Sequence, residues 1–211
     1  MATERRLIAR PHEIAGFLAG TQTQFRRAVK LRDPSGTYSA HADDGWPESA
    51  DEFGQWHRDR CPYGQPSDRL WVREAWHPSN HVPFGTRADY LADTPDARGE
   101  GFWKWKPSIH MPRWASRITL EITAVRVERL QAISESDARA EGVDWVAPDP
   151  YGEVWDDERE DPSQVGYSSA GASFARDNFR RLWGKINGKS HPWESNPWVW
   201  VCEVRKAVSG G

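Results

Sequence analysis

From Ser116 to Leu130 apolar and polar residues alternate over a long run, with Ile118, Leu120 and Ile122 on one side. A period of two belongs to an extended chain with one face buried, so this stretch reads as a strand. The apolar positions then slip to Ala124 and Val125, which predicts a register shift near Ala124. Asp68 to Trp76 alternates in the same way: Leu70, Val72 and Glu74 point one way, Trp71, Arg73 and Ala75 the other. Asn196 to Val204 reads as a closing strand, Thr21 to Lys30 as extended chain or turns, and Arg87–Leu91 as a short strand.

Three segments read as helices. Pro11 to Gly20 has Pro at the first helical position, Ile14, Phe17 and Leu18 on one face, and a stopping Gly. Ser134-Glu-Ser-Asp137 opens a second helix, with Ser134 as N-cap and an end near Glu141-Gly142. Ser173 to Asn187 carries Phe174, Phe179, Leu182, Trp183 and Ile186 on one stripe. Residues 31–60 and 145–172 are rich in Pro, Gly, Ser and acidic side chains and read as insertions in a single domain spanning 1–211. The sum is an α+β fold, a small mixed sheet or barrel of about five or six strands with about three helices.

Apolar residues make up only 37 % of the chain, but the 13 tryptophans compensate, each able to bury on the order of 200 Å². The net charge of −3 is unevenly spread: residues 1–32 hold seven basic and two acidic side chains, residues 149–161 one basic and seven acidic. A cationic scaffold with anionic insertions fits either a polyanion partner or ordinary surface charge. Whether the acidic insertions cover a cleft stays open. The two cysteines, Cys61 and Cys202, match neither a disulfide framework nor a zinc site, which fits a reducing cytoplasm, and Cys61, before a proline in a turn, reads as an ordinary thiol. No apolar run approaches the ~20 residues that span a bilayer, so no membrane partner is expected. His77 and His81 have metal-ligand spacing for a helix, but Pro78 and Pro83 argue against one. No metal and no cofactor is expected.

The segments 61–76 and 103–114 interleave Trp with Arg, Lys, Glu and His. Such segments suit a planar, negatively charged partner: indole stacks on a base, and guanidinium neutralises phosphate.

These residues also carry a resemblance. Four blocks in order are similar to phage and prophage members of the ASCH family, within the PUA-like superfamily. They are Ala19-Gly-Thr-Gln-Thr-Gln-Phe-Arg-Arg27, Pro62 to Trp76, Pro107 to Glu121, and Asn196-Pro-Trp-Val-Trp200. The resemblance implies a small β-barrel with a cleft that binds RNA, modified bases or nucleosides, in a bacterial host's cytoplasm. Some relatives hydrolyse substrates, as ribonucleases or as N4-acetylcytidine amidohydrolases. The family pattern Gly-x-Lys-x-x-Glu-x-Arg survives here only at its ends, Gly20 and Arg27, with Gln22 at the Lys position and Phe25 at the Glu position. The amidohydrolase branch uses a Lys, a Thr and a downstream Glu. Those positions are Gln22, Phe25 and Glu141, and Gln22 has no titratable amine.

The first functional expectation is therefore a module for single-stranded nucleic acid, nucleotide or nucleoside. Trp76, as a rim residue, or Trp105 would stack, Arg26, Arg27 and Arg73 would meet phosphate, and Gln22, Thr23, Glu74 and Ser108 would line the cleft. Each has a plainer alternative: a surface salt bridge for the arginines, a structural ion pair for Glu74, strand packing for Trp105. Trp71 reads as core. The second expectation is a hydrolase using Glu141 as base, either with Ser108 and His110, which would share a strand face, or with a threonine of the first block. The third is a phage or host protein partner docking on exposed tryptophans. Ser67 stands where the resemblance places a glycine, and it is strained if that turn needs a positive φ.

Overall fold

The computed structural model describes residues 2–30, 38–39, 48–51, 53–79, 87–93, 104–143 and 174–207. In chain order the elements are β1 (Glu4–Ile8), α1 (Pro11–Ala19), β2 (Gln24–Ala28), β3 (Tyr38–Ser39), β4 (Glu48–Ala50), β5 (Trp56–Arg58), β6 (Arg69–Arg73), β7 (Trp76–Pro78), β8 (Ala88–Tyr90), β9 (Thr119–Arg129), α2 (Glu135–Ala140), α3 (Phe174–Asn187) and β10 (Trp198–Lys206). The architecture is mixed α+β, with the three expected helices.

The main sheet runs β1-β6-β9-β10-β2, with β1 parallel to β6 and the other pairs antiparallel. β9 lies at its centre. Its register against β10 shifts where Glu203 pairs Ala124 and Val204 pairs Ile122, so Thr123 is the extra residue of a bulge. The bulge keeps Ile122 and Val125 on one face, and the slipped alternation in the sequence is its signature. Among the described residues no pairing joins β1 to β2.

Each face of the sheet has its own apolar layer. On one face Phe25, Leu70, Val72, Leu120, Ile122 and Cys202 pack against Ile14 and Phe17 of α1. On the other, Val199 and Val201 pack against Phe179 and Trp183 of α3 and Ala138 of α2. Ile186, expected on the buried stripe of α3, is 37 % exposed, because it lies in the helix's last turn beyond that layer. Ser134 caps α2 as read: its Oγ accepts the Asp137 N–H at 3.0 Å.

Two departures are local. Asp68 to Trp76 is not one strand. β6 stops at Arg73, and Trp76 begins β7, which pairs with β8 in a separate ribbon. Residues 31–60 are more than a loop, since β3, β4 and β5 form a three-stranded sheet there. Residues 145–172, the second expected insertion, lie outside the described residues, as do Trp103 and His81.

Candidate nucleic-acid interface

Adjacent residues of a strand face opposite ways, and Arg26 and Arg27 of β2 take separate hydrogen-bond partners, although both charges act on Glu141. Arg26 points to the α3 face and is fully buried. Its Nη1 donates to Glu141 Oε1 at 2.7 Å and its Nη2 to Glu128 Oε1 at 2.6 Å, with Asp137 Oδ2 at 3.4 Å. Arg126 of β9 closes the group, reaching Glu128 at 3.1 Å, Asp137 at 2.9 Å and Glu203 at 2.6 Å. The Gln24 amide lies in the same group, with its nitrogen 3.2 Å from Asp137 Oδ1 and its oxygen toward Arg26. Burial raises the Glu141 carboxyl above its ordinary range, and the Arg26 guanidinium pulls it partly back. A general base must reach substrate, and the Glu141 side chain is only 6 % exposed with its Oε1 on Arg26.

Gln22 is buried beside this group, and its Nε2 donates to Gln24 O at 2.9 Å. Two glycines make room for it: a Cβ on Gly16 would stand 2.7 Å from Gln22 Cβ, and one on Gly142 3.2 Å. Its Oε1 has no hydrogen-bond partner in the structure. Thr23 alone of this stretch is exposed among the predicted contacts. Gln22, Arg26 and Glu141 do converge, as read. They converge into a closed ion network, so Arg26 is corrected from a phosphate contact to a buried structural cation.

Arg27 points to the α1 face. Its Nη1 and Nη2 grip Glu13 Oε1 and Oε2 at 2.7 and 2.8 Å, a bidentate fork. Glu13 Oε2 also accepts the Arg10 N–H at 2.8 Å, tying the start of α1 to β2. Burial would push the Glu13 carboxyl up, but Arg27's charge and hydrogen bonds outweigh it and hold it below its ordinary value. Arg27 is thus an internal ion-pair partner, not a group at a cleft mouth.

The third set gathers around residues 104–117. Trp76 is corrected from rim to core: it is 3 % exposed, packed with Ala88, Met111 and Ala115. Lys106 Nζ sits 5.2 Å from its ring centroid, and Trp114 meets it edge-on at 5.6 Å. Glu74 is buried, and Arg117 holds both its oxygens at 2.8 and 2.9 Å while reaching Asp93 at 2.7 Å and lying 3.9 Å over the Tyr90 ring. Burial raises the Glu74 carboxyl, against the pull of Arg117. The sequence reading missed Arg117. The alternation that puts Glu74 on the face of Leu70 and Val72 predicts a basic partner for it without saying which, and that partner is Arg117. Ser108 and His110 do not share a strand face. They bound one turn of 3₁₀ helix, Ser108–His110, set by Pro107. Trp105 is half-buried, edge-on to His77 at 6.4 Å.

The remaining predicted residue, Arg73, opens a different surface. On β6 it alternates with Arg69 and Trp71 on the face away from α1. Register places Glu4, Arg6 and Ile8 of β1 on one side of these residues, and Thr119 and Glu121 of β9 on the other. Trp71, read as core, is half-buried. The Arg73 guanidinium lies 5.3 Å and that of Arg113 6.0 Å from its ring centroid. Arg73 Nη2 donates to the Ile109 carbonyl, and its buried Nε has no hydrogen-bond partner in the structure. Burial and then the neighbouring charge of Arg6 pull the Arg73 pKa down. Among the described residues Arg6 and Arg69 form no ion pair within 4.0 Å, whereas Arg113 holds Glu4 at 2.8 Å and Arg205 holds Glu121 at 2.8 Å. Arg6, Arg69 and Arg73 are thus three arginines of this face with no carboxylate partner within 4.0 Å among the described residues.

An open groove of about 560 Å³ lies along α3 between Arg181, Gly184 and Trp193, lined by none of the residues read from the sequence. Among the described residues no cluster of His, Cys, Asp and Glu could hold a metal ion, and no helix is long and apolar enough to cross a membrane. The chain matches no family model, no curated protein and no solved structure.

Proposed function

We propose that the chain binds single-stranded nucleic acid or nucleotides on the open face of β1, β6 and β9, as a divergent ASCH-type module with a PUA-like barrel. The observation that carries this reading is Trp71, half-buried with the Arg73 and Arg113 guanidinium groups 5.3 and 6.0 Å from its ring centroid, on a face where Arg6, Arg69 and Arg73 have no carboxylate partner among the described residues. Indole gives a base a stacking platform worth ~1–3 kcal/mol, and uncompensated arginines supply the phosphate attraction that double-stranded and single-stranded polymers share. A half-buried ring with fixed neighbours costs little entropy to present. The interface therefore lies away from Gln22, where the resemblance places the cleft.

The test is titration of labelled single-stranded RNA and DNA at several salt concentrations. Micromolar binding that weakens steadily with salt is expected. Flat binding, or none across oligonucleotides and nucleotides, overturns the reading. A protein partner on the same face is the second reading, drawn from Ile8 at 47 % and Ile109 at 56 % exposure beside Arg73. A pull-down from bacterial lysate with and without nuclease separates the two, since only a nucleic-acid-mediated capture is lost on digestion.

A further inference from the structure

Cys61 and Cys202 stand 141 residues apart in sequence, yet their sulfurs lie 3.7 Å apart. Cys61 opens the turn that leads into β6, and Cys202 sits in β10 between Phe25 of β2 and Val125 of β9. Both thiols are buried, at 4 % and 0 % exposure. Tyr63, two residues after Cys61, meets the Phe25 ring edge-on at 5.4 Å, so the turn is already packed onto the strand that flanks Cys202. A disulfide bond is about 2.05 Å long, so the two sulfurs need approach by less than 2 Å to form one.

We propose that Cys61 and Cys202 are an oxidation site, forming an intramolecular disulfide on exposure to a peroxide and returning to thiols with a dithiol reductant. The two sulfurs have unequal roles. The hydrogen bond between the two sulfurs, which either can donate, comes first in lowering the Cys61 pKa, burial opposes it, and the N–H groups of Tyr63 and Gly64 add to the lowering. Cys202 is raised well above its ordinary value by the same hydrogen bond and by burial. Cys61, the less buried of the two at 4 % against 0 % exposure and the one in a turn rather than a central strand, is the attacking thiolate and Cys202 the resolving thiol. In the first step the Cys61 sulfur bonds one peroxide oxygen, the O–O bond breaks, and the second oxygen leaves as water with a proton. In the second step the Cys202 sulfur attacks the Cys61 sulfenic acid. The S–S bond forms, the S–O bond breaks, and the Cys202 proton leaves in a second water. The two sulfurs lose two electrons and the peroxide is reduced to two waters.

The bond would fix the 61–64 turn to β10 across a long chain separation, where a cross-link restrains the unfolded chain most. The experiment treats the native full chain with hydrogen peroxide, then denatures it, alkylates it and measures the intact mass. Two alkylated thiols are expected before treatment and none after, with a mass loss of two hydrogens, recovery of both thiols on reduction, and a melting temperature several degrees higher when oxidised. In Cys202→Ser, a sulfenic-acid trap such as dimedone should label Cys61, while Cys61→Ser should stay unlabelled at the same dose. The site is overturned if native wild-type protein keeps both thiols alkylatable at a peroxide dose that labels Cys61 in Cys202→Ser. It is also overturned if the bond forms only between molecules or only in denaturant. The roles assigned to the two sulfurs are overturned if the trap labels Cys202 in Cys61→Ser instead.

Discussion

Arg26 Nη1 lies 2.7 Å from Glu141 Oε1, and the two side chains are 0 % and 6 % exposed. The position that the resemblance marks for catalysis is thus joined to the edge strand β2, with Glu128 of β9 and Asp137 of α2 on the same guanidinium. A buried pair adds little over an apolar pair of the same shape, but removing one member strands the charge of the other.

Arg26→Met should therefore cost ~3–5 kcal/mol of folding free energy, because three carboxylates lose their shared cation. Glu141→Gln should cost less, since its amide oxygen can still accept from Arg26. Urea unfolding of the two variants measures this. An Arg26→Met midpoint at or above that of Glu141→Gln would refute the network as a structural element. If nucleic-acid binding runs through Trp71, Glu141→Gln should also leave it unchanged.

The Glu13–Arg27 fork predicts an acid-sensitive contribution. The folded Glu13 carboxyl lies below its ordinary value of 4.5, so the stability it adds is fully present above that value and is lost as pH falls through the lower, folded one. Glu74 and Glu141 work the other way: their folded values are raised, so the folded state loses stability as pH rises through them. The difference between wild type and Glu13→Gln isolates Glu13. It should be large at pH 7 and shrink steadily below pH 4.5 in urea unfolding. A difference that stays constant with pH would show that the fork carries no charge-dependent stability.

What the sequence made legible was local. The alternation of β9 and its slip at Ala124 survive as a strand and a bulge because period two is a property of neighbouring residues. The Ser134 cap and the ends of α1 were readable for the same reason. β1 was not, since Glu4-Arg-Arg-Leu-Ile8 buries only Leu7 and presents no period. The opposed faces of Arg26 and Arg27 follow from strand geometry, but their partners do not. Glu141 lies 115 residues from Arg26, and Cys61 lies 141 from Cys202. Trp76 looked like a rim residue because charges surround it in sequence, and only the β7–β8 ribbon with Met111 and Ala115 shows what covers it.

Trp71 and Trp76 should separate binding from folding. Trp71→Ala should weaken single-stranded oligonucleotide binding by ~5- to 150-fold, the equivalent of ~1–3 kcal/mol, with little change in the unfolding midpoint. Trp76→Ala should cost ~3–5 kcal/mol of stability by leaving a cavity. Arg6→Ala should reduce the salt slope of binding by about 1, as one phosphate contact is lost. Fluorescence anisotropy and urea unfolding on the same preparations test all three. Equal binding by Trp71→Ala and wild type would remove that face from the interface.

Ser67 holds φ at 76°, in the left-handed region where a side chain costs ~1–2 kcal/mol and glycine does not. The turn needs that conformation: Ser67 N donates to Ile122 O at 2.8 Å, and Asp68 N to Gln65 O at 3.0 Å. Asp68 in turn accepts the Thr3 and Gln65 N–H groups at 2.7 and 3.1 Å, tying the chain before β1 to the entry of β6. Ser67→Gly should therefore stabilise the fold by ~0.5–1 kcal/mol, the relieved strain less the extra entropy of an unfolded glycine. Gly64→Ala, three residues earlier, should do the reverse. Its φ is 128°, and a Cβ there would stand 2.7 Å from Asp68 Oδ2. Urea unfolding of the two variants decides it: a destabilised Ser67→Gly or a neutral Gly64→Ala would mean the turn does not hold this shape in solution.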